Sequence, residues 1–82
     1  MKVIKTTIEG LLIIEPTVFG DERGYFYESF NKEKFKEITG EEIDFVQDNQ
    51  SLSGKDIVRG LHFQNPPYQQ GKLVRVIKGE VI

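Results

Sequence analysis

His62 is the sole histidine of the chain and stands in the run Val58-Arg59-Gly60-Leu61-His62-Phe63-Gln64. Further on, Lys72 opens Gly71-Lys72-Leu73-Val74-Arg75-Val76, again among apolar residues. Core-like segments of this kind ordinarily exclude charge, because a buried charge without a partner is strongly destabilising. An imidazole titrates near neutral pH and serves well as a general base. An ammonium in a partly enclosed cleft can steady a developing oxyanion. Each also has an ordinary explanation: a lone histidine is most often a hydrogen-bonded core or surface residue, and a strand lysine guards an edge. Polar chemistry set into an apolar pattern is nevertheless where a functional site is expected.

Arg23 and Arg59 each adjoin a glycine, which lets backbone and ligand approach closely. A guanidinium fork matches the oxygens of a phosphate or diphosphate, although either arginine taken singly reads as surface charge. Gln47, Asn49 and Gln64 offer neutral hydrogen bonding on strand-like sequence, where asparagine is disfavoured and needs a reason. Phe19, Phe26 and Tyr68 have faces that could stack on a base, with core packing as the default role of aromatics.

Other chemistries are poorly supplied. With no cysteine and one histidine, no His-x-His or His-x-x-x-His spacing exists, and a metal centre is not expected. No Gly-x-Gly-x-x-Gly or other phosphate-cradling glycine loop opens a helix. No serine has a visible base in register.

The elements that must position these residues are short and β-rich. Leu11–Glu15 reads as a strand stopped by Pro16. Val18-Phe19 leads into a loop, Gly20-Asp21-Glu22-Arg23-Gly24, followed by a strand over Tyr25–Phe30. Asn31–Ile38 is the one helical segment, with Asn31 as N-cap, Phe35 and Ile38 on one side, and Gly40 closing it. Asp44–Ser51 reads as a polar-rich strand and Ser53-Gly54-Lys55-Asp56 as a turn. Ile57–Gln64 and Lys72–Ile82 read as the last two strands. Two prolines make Asn65–Gly71 a loop. On an alternating strand Arg59 and His62 point apart unless Gly60 permits a bulge. These short strands with one small helix, near 31–39, predict an all-β antiparallel sandwich or barrel. Strand-like sequence running through Gly79-Glu80-Val81-Ile82 reads as the N-terminal part of a longer domain.

With 82 residues the chain suffices for one small domain. Its 38% hydrophobic and 29% charged residues are ordinary for a globular protein. A net charge of −2 argues against a nucleic-acid partner, which calls for basic excess. No apolar run is long enough for a membrane span, and no signal-peptide core follows Met1. The absence of cysteine suits a cytoplasmic setting.

Four blocks carry a resemblance: Glu15 to Phe26, Phe45 to Asn49, Val58 to Pro67, and Gly71 to Val76. In this order and spacing the chain resembles the nucleotide-sugar 3,5-epimerases, the family of dTDP-4-dehydrorhamnose 3,5-epimerase. The resemblance implies a cupin-type jelly roll and a cofactor-free isomerase. Its reaction would epimerise dTDP-4-dehydro-6-deoxy-D-glucose at C3 and C5, in dTDP-L-rhamnose synthesis. It matches His62 to the general base and Lys72 to the lysine at the 4-keto oxygen. Arg23 and Arg59 match the diphosphate ligands, and Gln47 and Asn49 match amides lining the site. Phe19, Phe26 and Glu28 match residues that hold the thymine end, typically across a homodimer interface. The family's acid, a tyrosine, matches none of Tyr25, Tyr27 or Tyr68, and that acid and the aspartate orienting the histidine lie in the family's second half. Two rival readings stay open: a related single-carbon epimerase or ketoisomerase, and a catalytically incomplete nucleotide-sugar-binding or dimer-assembly module.

Overall fold

A computed structural model of the chain describes all 82 residues. It divides into two compact units, Met1–Asn49 and Gln50–Ile82.

The first unit holds all the regular structure: two two-stranded antiparallel sheets and one short helix. Strand β1, Lys2–Lys5, pairs with β2, Leu12–Glu15, placing Val3 opposite Ile14 and Ile4 opposite Ile13. Strand β1 has no counterpart among the expected strands, and β2 starts one residue later than expected. The connection is closed locally, with the Thr6 hydroxyl 2.8 Å from the Leu11 carbonyl and the Leu11 N–H donating to Ile8 at 3.2 Å. Pro16 ends the ladder because it has no N–H to give. Strand β3, Val18–Asp21, pairs with β4, Gly24–Tyr27, in the register Val18–Tyr27, Phe19–Phe26, Gly20–Tyr25 and Asp21–Gly24. The expected loop therefore narrows to Glu22-Arg23, and its flanks extend the strands.

Helix α1, Lys32–Thr39, follows the expected local signals. The Asn31 side chain accepts the Lys34 N–H at 3.0 Å, satisfying one of the free donors of the first turn. At the other end Gly40 takes a left-handed conformation, φ 74°, and donates its N–H to the Lys36 carbonyl at 2.8 Å. So short a helix depends on docking. Phe35 meets Phe30 and Phe45 edge to face at centroid distances of 5.8 and 5.6 Å, and Phe30 meets Phe45 at 5.4 Å. Lys32 pairs with Asp44, Lys34 with Glu28 and Lys36 with Glu42, joining the helix to the chain on both sides of it. No side chain of the molecule is fully buried.

The second unit contains turns but no strand or helix. The expected turn forms at Lys55-Asp56, and the Asn65–Gly71 loop turns at Pro66-Pro67, closed by Tyr68 N–H to the Asn65 carbonyl at 2.8 Å. The strands expected over Ile57–Gln64 and Lys72–Ile82 do not form, nor does the one over Asp44–Ser51. The physical reason is pairing. A strand is held by a neighbour that takes its N–H and C=O groups and by a covered face, and here Leu61 and Phe63 stay fully open, at 102% and 85% exposure. In its regular elements the chain is thus mostly strand, antiparallel, with one short helix. No helix is long and apolar enough to cross a membrane.

Candidate functional site

The β3–β4 hairpin gathers part of the expected site on one local scaffold. Phe19 and Phe26 are cross-strand partners, so their rings project from the same face, and both are largely exposed. Exposed flat rings at the mouth of a concavity suit stacking on a planar ligand. Arg23 sits in the two-residue turn beside them. Phe19, Arg23 and Phe26, with Asp21 and Tyr25, line a cavity of about 340 Å³.

Asp21 accepts four hydrogen bonds from Arg23. Its Oδ1 accepts the backbone N–H at 2.8 Å and Nε at 3.3 Å, and its Oδ2 accepts Nε at 3.1 Å and Nη2 at 2.6 Å. Hydrogen bonds from Arg23 hold the Asp21 carboxyl below the usual carboxylate range, and the Arg23 guanidinium is raised in turn. Sequence reasoning took Asp21 only for a turn former. The signal for more was its spacing, two residues before an arginine within a Gly-bounded loop.

Glu28 follows β4 directly and is half-buried, paired with Lys34 of α1 at 3.1 Å. Gln47 and Asn49 lie in irregular chain after the helix, where Gln47 Nε2 donates to Asn49 Oδ1 at 3.5 Å. The two amides are therefore neighbours, although not on the strand expected for them.

Arg59, His62 and Lys72 belong to the second unit, and all three are exposed. Arg59 Nη2 donates to the Leu52 carbonyl at 3.1 Å. His62 does not sit on an alternating strand, so the question of which face it shares with Arg59 lapses. Gly60 between them adopts φ 120°, a backbone conformation that side-chain-bearing residues avoid. No group of His, Cys, Asp and Glu side chains is arranged to hold a metal ion.

Residues 5–82 match the family model described as dTDP-4-dehydrorhamnose 3,5-epimerase, and the chain belongs to that family. It is 60% identical over 81 residues to the dTDP-4-dehydrorhamnose 3,5-epimerase of Shigella flexneri, covering 99% of this chain and 45% of that protein. To the enzymes of the same name from Salmonella typhimurium and Escherichia coli it is 58% identical, over 99% of this chain and 44% of each. The chain thus spans a little under half the length of these relatives. No solved structure matches it.

Proposed function

We propose that these residues form the N-terminal part of a single cupin-type jelly-roll domain that epimerises dTDP-4-dehydro-6-deoxy-D-glucose at C3 and C5. The product would be dTDP-4-dehydro-L-rhamnose, on the route to dTDP-L-rhamnose. The observation that carries the reading is the family match over residues 5–82, a span that includes every expected site residue.

The chemistry follows from the ketone at C4. A proton on either neighbouring carbon becomes removable when the enolate oxygen meets a fixed cation, and Lys72 supplies it. His62 removes the C5 proton and then the C3 proton as general base. Arg23 and Arg59 take the diphosphate through their forks. Gln47 and Asn49 line the site, while Phe19, Phe26 and Glu28 hold the thymine end. The acid that returns each proton and the carboxylate that orients His62 come from the rest of the domain. No cofactor or metal enters, and neither nucleic acid nor membrane is a partner. The assembly is a cytoplasmic homodimer in which the hairpin residues reach a neighbour's site.

Deuterium wash-in from solvent into dTDP-4-keto-6-deoxyglucose, catalysed by the complete native protein, tests this. Label is expected at both C3 and C5. No exchange, or undiminished exchange after His62→Asn, overturns the reading, and label at one carbon only makes the protein a single-carbon epimerase. The alternative reading is a catalytically incomplete nucleotide-sugar-binding or dimer-assembly module. The intact mass of the native protein separates the two.

A further inference from the structure

We propose that Asp21 is a positioning residue: it grips one edge of the Arg23 guanidinium and so presents the other edge to the diphosphate of a nucleotide ligand. The proposal rests on the reading of Arg23 as a diphosphate ligand.

Both carboxylate oxygens hold the guanidinium, and one also holds the turn. Oδ1 takes the Arg23 backbone N–H at 2.8 Å, fixing the turn, and Nε at 3.3 Å. Oδ2 takes Nε at 3.1 Å and Nη2 at 2.6 Å, two donors on the same edge of the planar group. A guanidinium carries five N–H donors, so both hydrogens of Nη1 and the second of Nη2 stay uncommitted. That remaining edge is itself a two-pronged fork, the arrangement that suits two oxygens of a phosphate.

Arg23 needs such a grip. Its side chain is 91% exposed, and Asp21 is its only ion-pair partner. Released, the long stem would sample many rotamers, and a ligand would have to freeze them on binding. Asp21 does that ordering beforehand, at the wall of the cavity that Phe19 and Phe26 also line. The carboxylate also places a negative charge near an anionic ligand. Ordering and repulsion predict opposite effects on binding.

The test compares dTDP with thymidine, which lacks the phosphates, by calorimetry on the full chain at one salt concentration. Asp21→Asn keeps an oxygen for the turn N–H but loses the charge that grips the fork. It is expected to weaken dTDP about three- to tenfold, the cost of ordering one long side chain, and to leave thymidine unchanged. The Arg23 Nε–H resonance is expected to lose its positive heteronuclear NOE in the same variant. Equal or tighter dTDP binding by Asp21→Asn overturns the proposal. So does a purely structural pattern, with Asp21→Asn like wild type and Asp21→Ala weakening dTDP and thymidine alike. If wild type binds dTDP no better than thymidine, or Arg23→Met leaves dTDP binding intact, the fault lies with Arg23 as a diphosphate ligand.

Discussion

Lys34 Nζ lies 3.1 Å from Glu28 Oε1, an oxygen withdrawn from solvent although the side chain as a whole is 42% exposed. Lys34 is itself fixed, because its backbone N–H is taken by the Asn31 cap. A residue expected to bind nucleotide is in this way tied to the first turn of α1.

The Lys34 ammonium holds the Glu28 carboxyl below the usual carboxylate range, against the opposing effect of partial burial. Lys34→Met should therefore raise the Glu28 titration midpoint, and Lys34→Arg should restore it. A carbon-detected NMR titration of the Glu28 carboxyl reads this directly. A midpoint indifferent to Lys34→Met would show that the pair does not persist in solution.

The aromatic cluster should carry the helix. Phe35 makes two edge-to-face contacts, each worth about 0.5–1.5 kcal/mol beyond the area it covers. Phe35→Ala should thus destabilise the first unit by about 1–3 kcal/mol from the ring contacts, with the lost apolar cover added to that, and reduce helical ellipticity at 222 nm. A Phe35→Leu variant, which keeps apolar cover but not the ring geometry, should fall between. Unchanged ellipticity in Phe35→Ala would assign the helix to its caps and ion pairs instead.

How far these features can be read from sequence depends on the range of the forces involved. Helix α1 is legible because Asn31, Phe35, Ile38 and Gly40 act within a few residues of one another. The hairpin is legible in outline, since Gly20-Asp21-Glu22-Arg23-Gly24 marks the turn. Strand β1 is not, because Lys2–Lys5 is defined by its partner across a loop rather than by its own four residues. The apolar runs around His62 and Lys72 carry strand propensity, but propensity without a paired neighbour does not make a strand. Asp21 was legible as a turn residue and not as the grip on Arg23, because side-chain reach is invisible in a pattern of residue types.

The Lys32–Asp44 pair, at 2.5 Å, gives α1 a window of pH stability. Lys32 holds Asp44 below its ordinary value, so that contribution is full above about pH 4 and is lost as pH falls through the lower folded value. Asp44 raises Lys32, so its contribution is full below about pH 10 and is lost as pH rises through the raised value. Ellipticity at 222 nm against pH should show a plateau that falls at both ends. Lys32→Met should remove both the acid and the alkaline fall attributable to this pair and lower the plateau between them. A profile identical to wild type would remove the pair from the account.

Lys72 offers the sharpest kinetic expectation, because one oxygen serves both halves of the proposed reaction. C3 and C5 flank the same carbonyl carbon, so abstraction at either develops charge on the same C4 oxygen. A cation fixed at that oxygen must then stabilise both transition states, whereas binding of the nucleotide end is left to Arg23, Phe19 and Phe26. Lys72→Met in the complete protein should slow deuterium wash-in at C3 and at C5 by a common factor, about 10²–10³, the usual cost of losing one oxyanion donor. KM should move far less than kcat, because the interaction strengthens only as charge develops. Lys72→Arg should recover part of the rate by keeping the charge in a wider, less compact head group. A loss confined to one carbon, or one expressed wholly in KM, would place Lys72 at some other part of the substrate than the C4 oxygen.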